Sequence, residues 1–138
     1  QRQMCIRDSP KGSALYNFIK FKELKSEGNS ITEGIGSSRI TANFDKAPID
    51  DAFSVDDVDA LTVIYELIEN EGLSLGTSSG INVAGAIKLA KDLGPDKTIV
   101  TILCDKSDLY FLGVVFHICR DQETSQSSPQ NPTFRCMN

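Results

Sequence analysis

At 138 residues the chain is sized for one domain built around one hydrophobic core. Its 40% hydrophobic and 24% charged content is that of an ordinary soluble globular protein. A net charge of −5 and a pI near 4.8 argue against nucleic acid or an anionic membrane as partner, because both call for a basic face.

Gln1 to Ser9 shows neither an apolar period nor a capping pattern, so no element is expected there. Met4-Cys5-Ile6-Arg7-Asp8-Ser9 also resembles the conceptual translation of a transposon end used in sequencing-library preparation, which marks residues 1–9 as a non-native segment outside the fold. Pro10-Lys11-Gly12 reads as a turn and Ala14 to Ile19 as a short helix. After a polar loop around Gly28 comes Ile31-Thr32-Glu33-Gly34-Ile35-Gly36. Its two glycines let backbone run close to another element or to a ligand.

Ala52 to Val55 is a short strand. Asp56 is placed to cap the next helix, with Asp57 and Asp59 in its first turn, where the helix dipole favours negative charge. Leu61, Ile64, Tyr65 and Ile68 fall at helical spacing and predict its buried stripe, and Gly72 predicts a left-handed end. Glu66, Glu69 and Glu71 read as solvated surface. The apolar run Leu73-Ser74-Leu75 then leads as a strand into Gly76-Thr77-Ser78-Ser79-Gly80. A second helix covers Ser79 to about Leu93, with Val83, Ala86, Ile87, Ala90 and Leu93 on one side and Gly94-Pro95 as its stop. Thr98 to Cys104 reads as a strand apolar on both faces, as in a covered parallel sheet. Strands alternating with helices define an α/β fold, in which ligands sit at the carboxyl ends of the strands. The Gly76–Gly80 turn and Asp105 both fall there.

From Lys106 the alternation stops. Leu109 to Cys119 is one dense apolar run, too short to span a bilayer as a helix, and a polar Ser/Gln/Pro-rich tail follows. Cys5, Cys104, Cys119 and Cys136 are scattered without a CxxC spacing, which speaks against a metal site and gives little support to a disulfide framework. No signal-peptide pattern is read, and a cytoplasmic location is expected.

The pentapeptide admits two chemistries. As a bare pattern it satisfies G-x-S-x-G, the nucleophile elbow of a serine hydrolase, with Ser78, Asp105 and His117 in the order of a triad. Against that stand the short gap from Asp105 to His117, the apolar run around His117, and the lack of an oxyanion segment before the serine. In the other chemistry Ser78 hydrogen-bonds a heteroaromatic ring. The runs Ile31 to Gly36, Arg39 to Asn43, Gly76 to Ala86 and Thr98 to Asp105, in that order, resemble the C-terminal half of the cysteine synthase (O-acetylserine sulfhydrylase) family, whose near relative is cystathionine β-synthase. The resemblance covers about Pro10 to Asp105.

That resemblance implies pyridoxal 5'-phosphate as cofactor, held between two α/β domains of the tryptophan-synthase-β type. Residues 10–105 then form part of the larger domain, with an incomplete, mostly parallel sheet and flanking helices. It implies that Ser78 meets the pyridine nitrogen, where a neutral hydroxyl leaves the ring a weaker electron sink suited to β-replacement, and that Gly34, Ile35 and Gly36 line the cofactor cleft. It implies O-acetylserine and sulfide as substrates, and a homodimer as the parent's assembly. The family's Schiff-base lysine, substrate-carboxylate loop and phosphate loop all lie upstream of the matching part, so no catalytic residue is assigned. Lys11, Lys20, Lys22 and Lys25 fall in the wrong part of the pattern. After Asp105 the family's Gly-x-Arg-Tyr segment is replaced by Lys106-Ser107-Asp108-Leu109-Tyr110, and a frameshift or chimeric join near Asp105 accounts for this break. Residues 106–138 are accordingly expected to be a divergent tail, frameshifted or disordered.

Overall fold

A computed structural model describes residues 4–28, 30–32, 35–36 and 38–106. Two strands and four helices follow in the order β1 (Ile6–Pro10), α1 (Ala14–Phe21), α2 (Ala42–Asp45), β2 (Asp51–Val55), α3 (Asp57–Glu71) and α4 (Thr77–Leu93). β1 and β2 pair in parallel, from Ile6 opposite Asp51 to Pro10 opposite Val55. A parallel pair needs a long crossover, and α1, α2 and their loops supply it. The ladder continues past both ends through Asp50 N–H to Cys5 O and Lys11 N–H to Val55 O, each 2.9 Å. The α/β class and the small parallel sheet with flanking helices are as expected.

β1 itself is a correction, because it runs through residues for which no element was expected. Its strand conformation comes from pairing with β2 and packing against α4, and none of that is written in the local pattern. The same placement buries Arg7 Nε, Asp8 Oδ1 and Ser9 Oγ without hydrogen-bond partners.

α1 starts where Ser13 accepts a hydrogen bond from Tyr16 N–H, and it runs two residues past its expected end to a left-handed cap at Lys22. The four-residue α2, capped by Thr41, was not foreseen. At the start of α3, Asp56 occupies the cap position but its side chain caps nothing, since its carboxylate pairs with Lys11 Nζ at 2.8 Å. Gly72 ends α3 in the left-handed conformation, as its position predicts. Glu66, Glu69 and Glu71 are exposed.

The buried stripes differ from the predicted ones. On α3 the buried pair is Ala60 and Ile64, while Leu61, Tyr65 and Ile68 are half-buried. On α4 the buried set is Thr77, Ser79, Gly80, Ile81, Ala84 and Gly85, whereas Ile87 and Leu93 of the predicted face are exposed. The reason is close helix packing. A Cβ at Gly80 would lie 2.7 Å from the Ala60 carbonyl oxygen and 2.8 Å from Ile64 Cδ1, so α4 meets α3 along its smallest residues. Val55, Ala60, Ile81 and Ala84 form the core, with Ile35 and Val63 packed against it.

The third predicted strand does not form. Among the described residues, 98–105 pair with no strand, and their neighbour Lys106 makes an isolated antiparallel bridge with Leu75. Val100 is 88% exposed and Ile102 70%. Leu73-Ser74-Leu75 likewise forms no strand among the described residues and takes part through the Leu75 bridge. A strand needs a ladder partner, and among the described residues neither run has a strand beside it.

Candidate functional site

α4 opens at Thr77 behind the cap Gly76. The helix thus begins two residues before its expected start at Ser79, and both serines of the pentapeptide lie inside its first turn. Ser78 is half-buried and its Oγ–H donates to Asp105 Oδ2 at 2.9 Å. Ser79 is fully buried, and its Oγ accepts from Cys104 N–H at 2.9 Å and Asp105 N–H at 3.4 Å. Gly76 N–H donates to Asp105 O at 2.9 Å. One turn on, Asn82 Nδ2 donates to Ile102 O at 2.9 Å, and Thr101 Oγ1 donates to Asn82 O at 3.4 Å. The polar side chains of α4 thus hold residues 101–105 in place of a sheet neighbour. A Cβ at Gly76 would come 3.1 Å from Asp105 Cβ, so a side chain at that position would press on Asp105.

The glycine loop lies beside the same helix. Ile35 packs on the core that contains Ile81, which lies about one helical turn from Ser78. Gly36 has φ +78°, and a Cβ there would meet Pro10 and Ser13 at 3.2 Å. Both residues line a cavity of about 210 Å³ with Pro10, Gly12, Ser13 and Thr32, and Ser78 does not line it. Gly34 lies outside the described residues, as does His117.

Asp57 was read only as a charge near the helix start. It anchors the loop that leads to these glycines, accepting from Ser30 Oγ at 2.6 Å and from Ile31 N–H at 3.0 Å. Ser79 and Asn82 were also missed. Two polar residues on the inner side of a small-residue helix were the available signal.

The chemistry of the donor set fits a pyridine ring at Ser78. A hydroxyl is there on a half-buried helix turn, its proton already directed to a carboxylate and its lone pairs free to accept. The partial positive charge of the α4 N-terminus lies beside the negative Asp105. The four lysines near the start of the matching part are engaged elsewhere: Lys11 with Asp56, Lys20 with Asp51, Lys25 with Glu27, and Lys22 over the Phe18 ring. Among the described residues Cys5 and Cys104 are free thiols, no cluster of His, Cys, Asp and Glu is arranged to hold a metal, and no helix is long and apolar enough to cross a membrane.

The family model described as pyridoxal-phosphate dependent enzyme matches residues 3–105, and the chain belongs to that family. Its relatives give a narrower likeness. A cysteine synthase of Dictyostelium discoideum is 38% identical over 111 residues, covering 73% of this chain and 29% of the relative. Cysteine synthase 1 of Emericella nidulans is 41% identical over 105 residues, covering 73% of this chain and 28% of the relative. A crystal structure of an O-acetylserine dependent cystathionine β-synthase from Helicobacter pylori superposes with a TM-score of 0.68 at 28% identity, covering 79% of this chain and 33% of that one. The chain therefore spans about a third, or less, of the length of these relatives. The match opens at residue 3, inside the segment expected to be foreign to the fold, and closes at Asp105, where the sequence pattern breaks.

Proposed function

We propose that the chain is a segment of a cysteine synthase, the enzyme that replaces the acetoxy group of O-acetylserine by sulfide to give cysteine and acetate. The observation that carries this reading is the run of relatives named cysteine synthase, 38–41% identical over nearly three quarters of the chain. Bound pyridoxal phosphate supplies an electron sink that labilises the substituents at the α and β carbons of the amino acid. In this reading the chain's own residues form one wall of the site. Ser78 meets the ring nitrogen, Asp105 orients Ser78, and Gly34, Ile35 and Gly36 line the cleft along α4.

The chain alone is inactive in this reading, because the lysine that ties the cofactor covalently and the loop that holds its phosphate belong to the rest of the parent enzyme. The ion pairs that already occupy Lys11, Lys20 and Lys25 support this. In this reading the parent is homodimeric by analogy with the family, and its scattered cysteines are those of a cytoplasmic protein. Residues 106–138 do not belong to its pattern.

A second reading has its own support. A Bacillus subtilis protein named O-acetylserine dependent cystathionine β-synthase is 39% identical over 79 residues, and the Helicobacter pylori structure bears the same name. The serine hydrolase reading gives way to family membership, and Ser78 donates to a carboxylate where a nucleophile would face an imidazole. The deciding experiment takes the upstream coding sequence from the source DNA and assays the completed enzyme with O-acetylserine. Cysteine formed with sulfide is the expected product. Cystathionine formed with homocysteine, without cysteine from sulfide, would move the assignment to the second reading.

A further inference from the structure

We infer that Asp57, at the start of α3, is a positioning residue for the cleft. Through Ser30 it holds the run that carries Ile35 and Gly36, the wall against which the amino-acid substrate binds. This rests on the reading of Ile35 and Gly36 as cleft lining, and it adds what keeps that lining in place.

Packing alone does not fix the run. Ser30, Thr32, Ile35 and Gly36 all line the cavity of about 210 Å³, so on that side they meet space. A Cβ at Gly28, just before them, would meet nothing within 4 Å among the described residues. What fixes the run is a closed set of hydrogen bonds. One oxygen of Asp57 accepts from Ser30 Oγ at 2.6 Å and the other from Ile31 N–H at 3.0 Å. A hydroxyl has one proton and two lone pairs. The Ser30 proton goes to Asp57, so the Thr32 hydroxyl, 2.7 Å away, donates to Ser30 Oγ, and Thr32 N–H donates to it as well at 3.1 Å. Ser30 Oγ is then full, and buried Thr32 is held through both its backbone and its side chain.

Beyond Thr32, Ile35 packs on the core that includes Ala60, one turn along α3 from Asp57. The run is therefore tied to α3 twice, by charge-assisted hydrogen bonds at one end and by apolar packing at the other. Asp57→Ala leaves the Ser30 proton and Ile31 N–H to water, and only the apolar tie remains. No covalent step is involved, because Asp57 touches no reacting atom. A wall meets the bound substrate and its transition state alike, so loosening it raises KM and leaves kcat nearly unchanged.

The test has two arms. The first needs no ligand and uses the 138-residue chain. Asp57→Ala should speed hydrogen exchange at the Ile31 and Thr32 amides about tenfold while α4 exchanges as before. Unchanged exchange at these two amides, or equal quickening along α4, overturns the inference. The second arm uses the enzyme completed from the upstream coding sequence and O-acetylserine, the first substrate of both readings above. Asp57→Ala and Ser30→Ala should each raise its KM about tenfold, with kcat held within about twofold. A residue that merely braces the fold would lower the folded fraction, which cuts the apparent kcat at unchanged KM. An unchanged KM overturns the inference whatever kcat does. Ser30→Ala lies outside every helix and strand, and it decides alone if Asp57→Ala fails to fold. Ile35→Ala separates the inference from the reading beneath it. If Ile35→Ala raises KM and Asp57→Ala does not, the inference falls and the cleft lining stands. If neither raises KM, both fall.

Discussion

Asp8 is the residue most at odds with its surroundings. Its Oδ1 is buried without a partner and lies where a Cβ at Gly85 would come within 2.0 Å. Burial pushes its carboxyl up to about 6 from an ordinary 3.8, against a smaller opposing pull from Arg7. A raised carboxyl means that the folded state holds the proton more tightly than the unfolded one. Below pH 4 both states are protonated and stability is intact. Between about 4 and 6 it declines, and above that the loss is complete. With allowance for solvent screening at a partly buried group, the loss is about 1–2 kcal/mol. Asp8→Asn should flatten this decline in urea melts taken from pH 4 to 7.5, and an unchanged slope would clear Asp8 of the cost. Asp51 acts in the opposite sense, since its hydrogen bond with Lys20 holds its carboxyl down, so its contribution is lost only as pH falls further. Gly80 poses a sharper conflict between two effects. Helix propensity alone favours Gly80→Ala by roughly 0.5–1 kcal/mol. The new Cβ would strike a backbone carbonyl at 2.7 Å, which cannot swing aside, and overpacking of this kind costs about 1–3 kcal/mol. Net destabilisation is expected, read as a lower melting midpoint, and a higher one would show that α3 gives way.

At the scale of elements, α4 does two jobs with two faces. Gly80, Ile81, Ala84 and Gly85 carry the packing, while Ser78, Ser79 and Asn82 carry the polar contacts to residues 101–105. Ser79→Ala would leave the Cys104 and Asp105 N–H groups without their shared acceptor, at about 1–3 kcal/mol. Hydrogen exchange at residues 101–105 should then quicken well beyond that of α3, and uniform quickening throughout would mean that Ser79 supports the whole fold. Three helices, α1, α3 and α4, were legible in the sequence, helped by local stop signals such as Gly72 and Gly94, while the four-residue α2 was not. The strands were less so. Ile6 to Ser9 looks like no strand and is one, while Thr98 to Cys104 looks like one and is not. Strand identity depends on a partner elsewhere in the chain, and side-chain pattern is blind to whether that partner is there. Ser78 was legible through a motif, but its contact with Asp105 joins residues 27 apart and needed the fold.

For the molecule as a whole, the main consequence is open backbone and uncovered apolar surface. A two-stranded sheet is marginal by itself, and here it rests on α4 with no third strand beside it among the described residues. Val100 and Ile102 face solvent at 88% and 70% exposure on a run that joins no ladder among the described residues. A cavity of about 350 Å³ separates that run from Ile6 and Asp8 of β1, with Gly85, Ala86 and Leu89 of α4 also lining it. Unpaired backbone next to exposed apolar side chains favours association, and charge on such a surface is what blunts it. The isolated chain should therefore self-associate as its concentration rises, seen as a growing mass in light scattering. The double change Val100→Lys with Ile102→Lys should hold it monomeric to a higher concentration, and it touches none of the contacts that fix Ser78 and Asp105. A wild-type chain that stays monomeric across the same range and melts in one cooperative step would show that the two strands and four helices suffice as a domain.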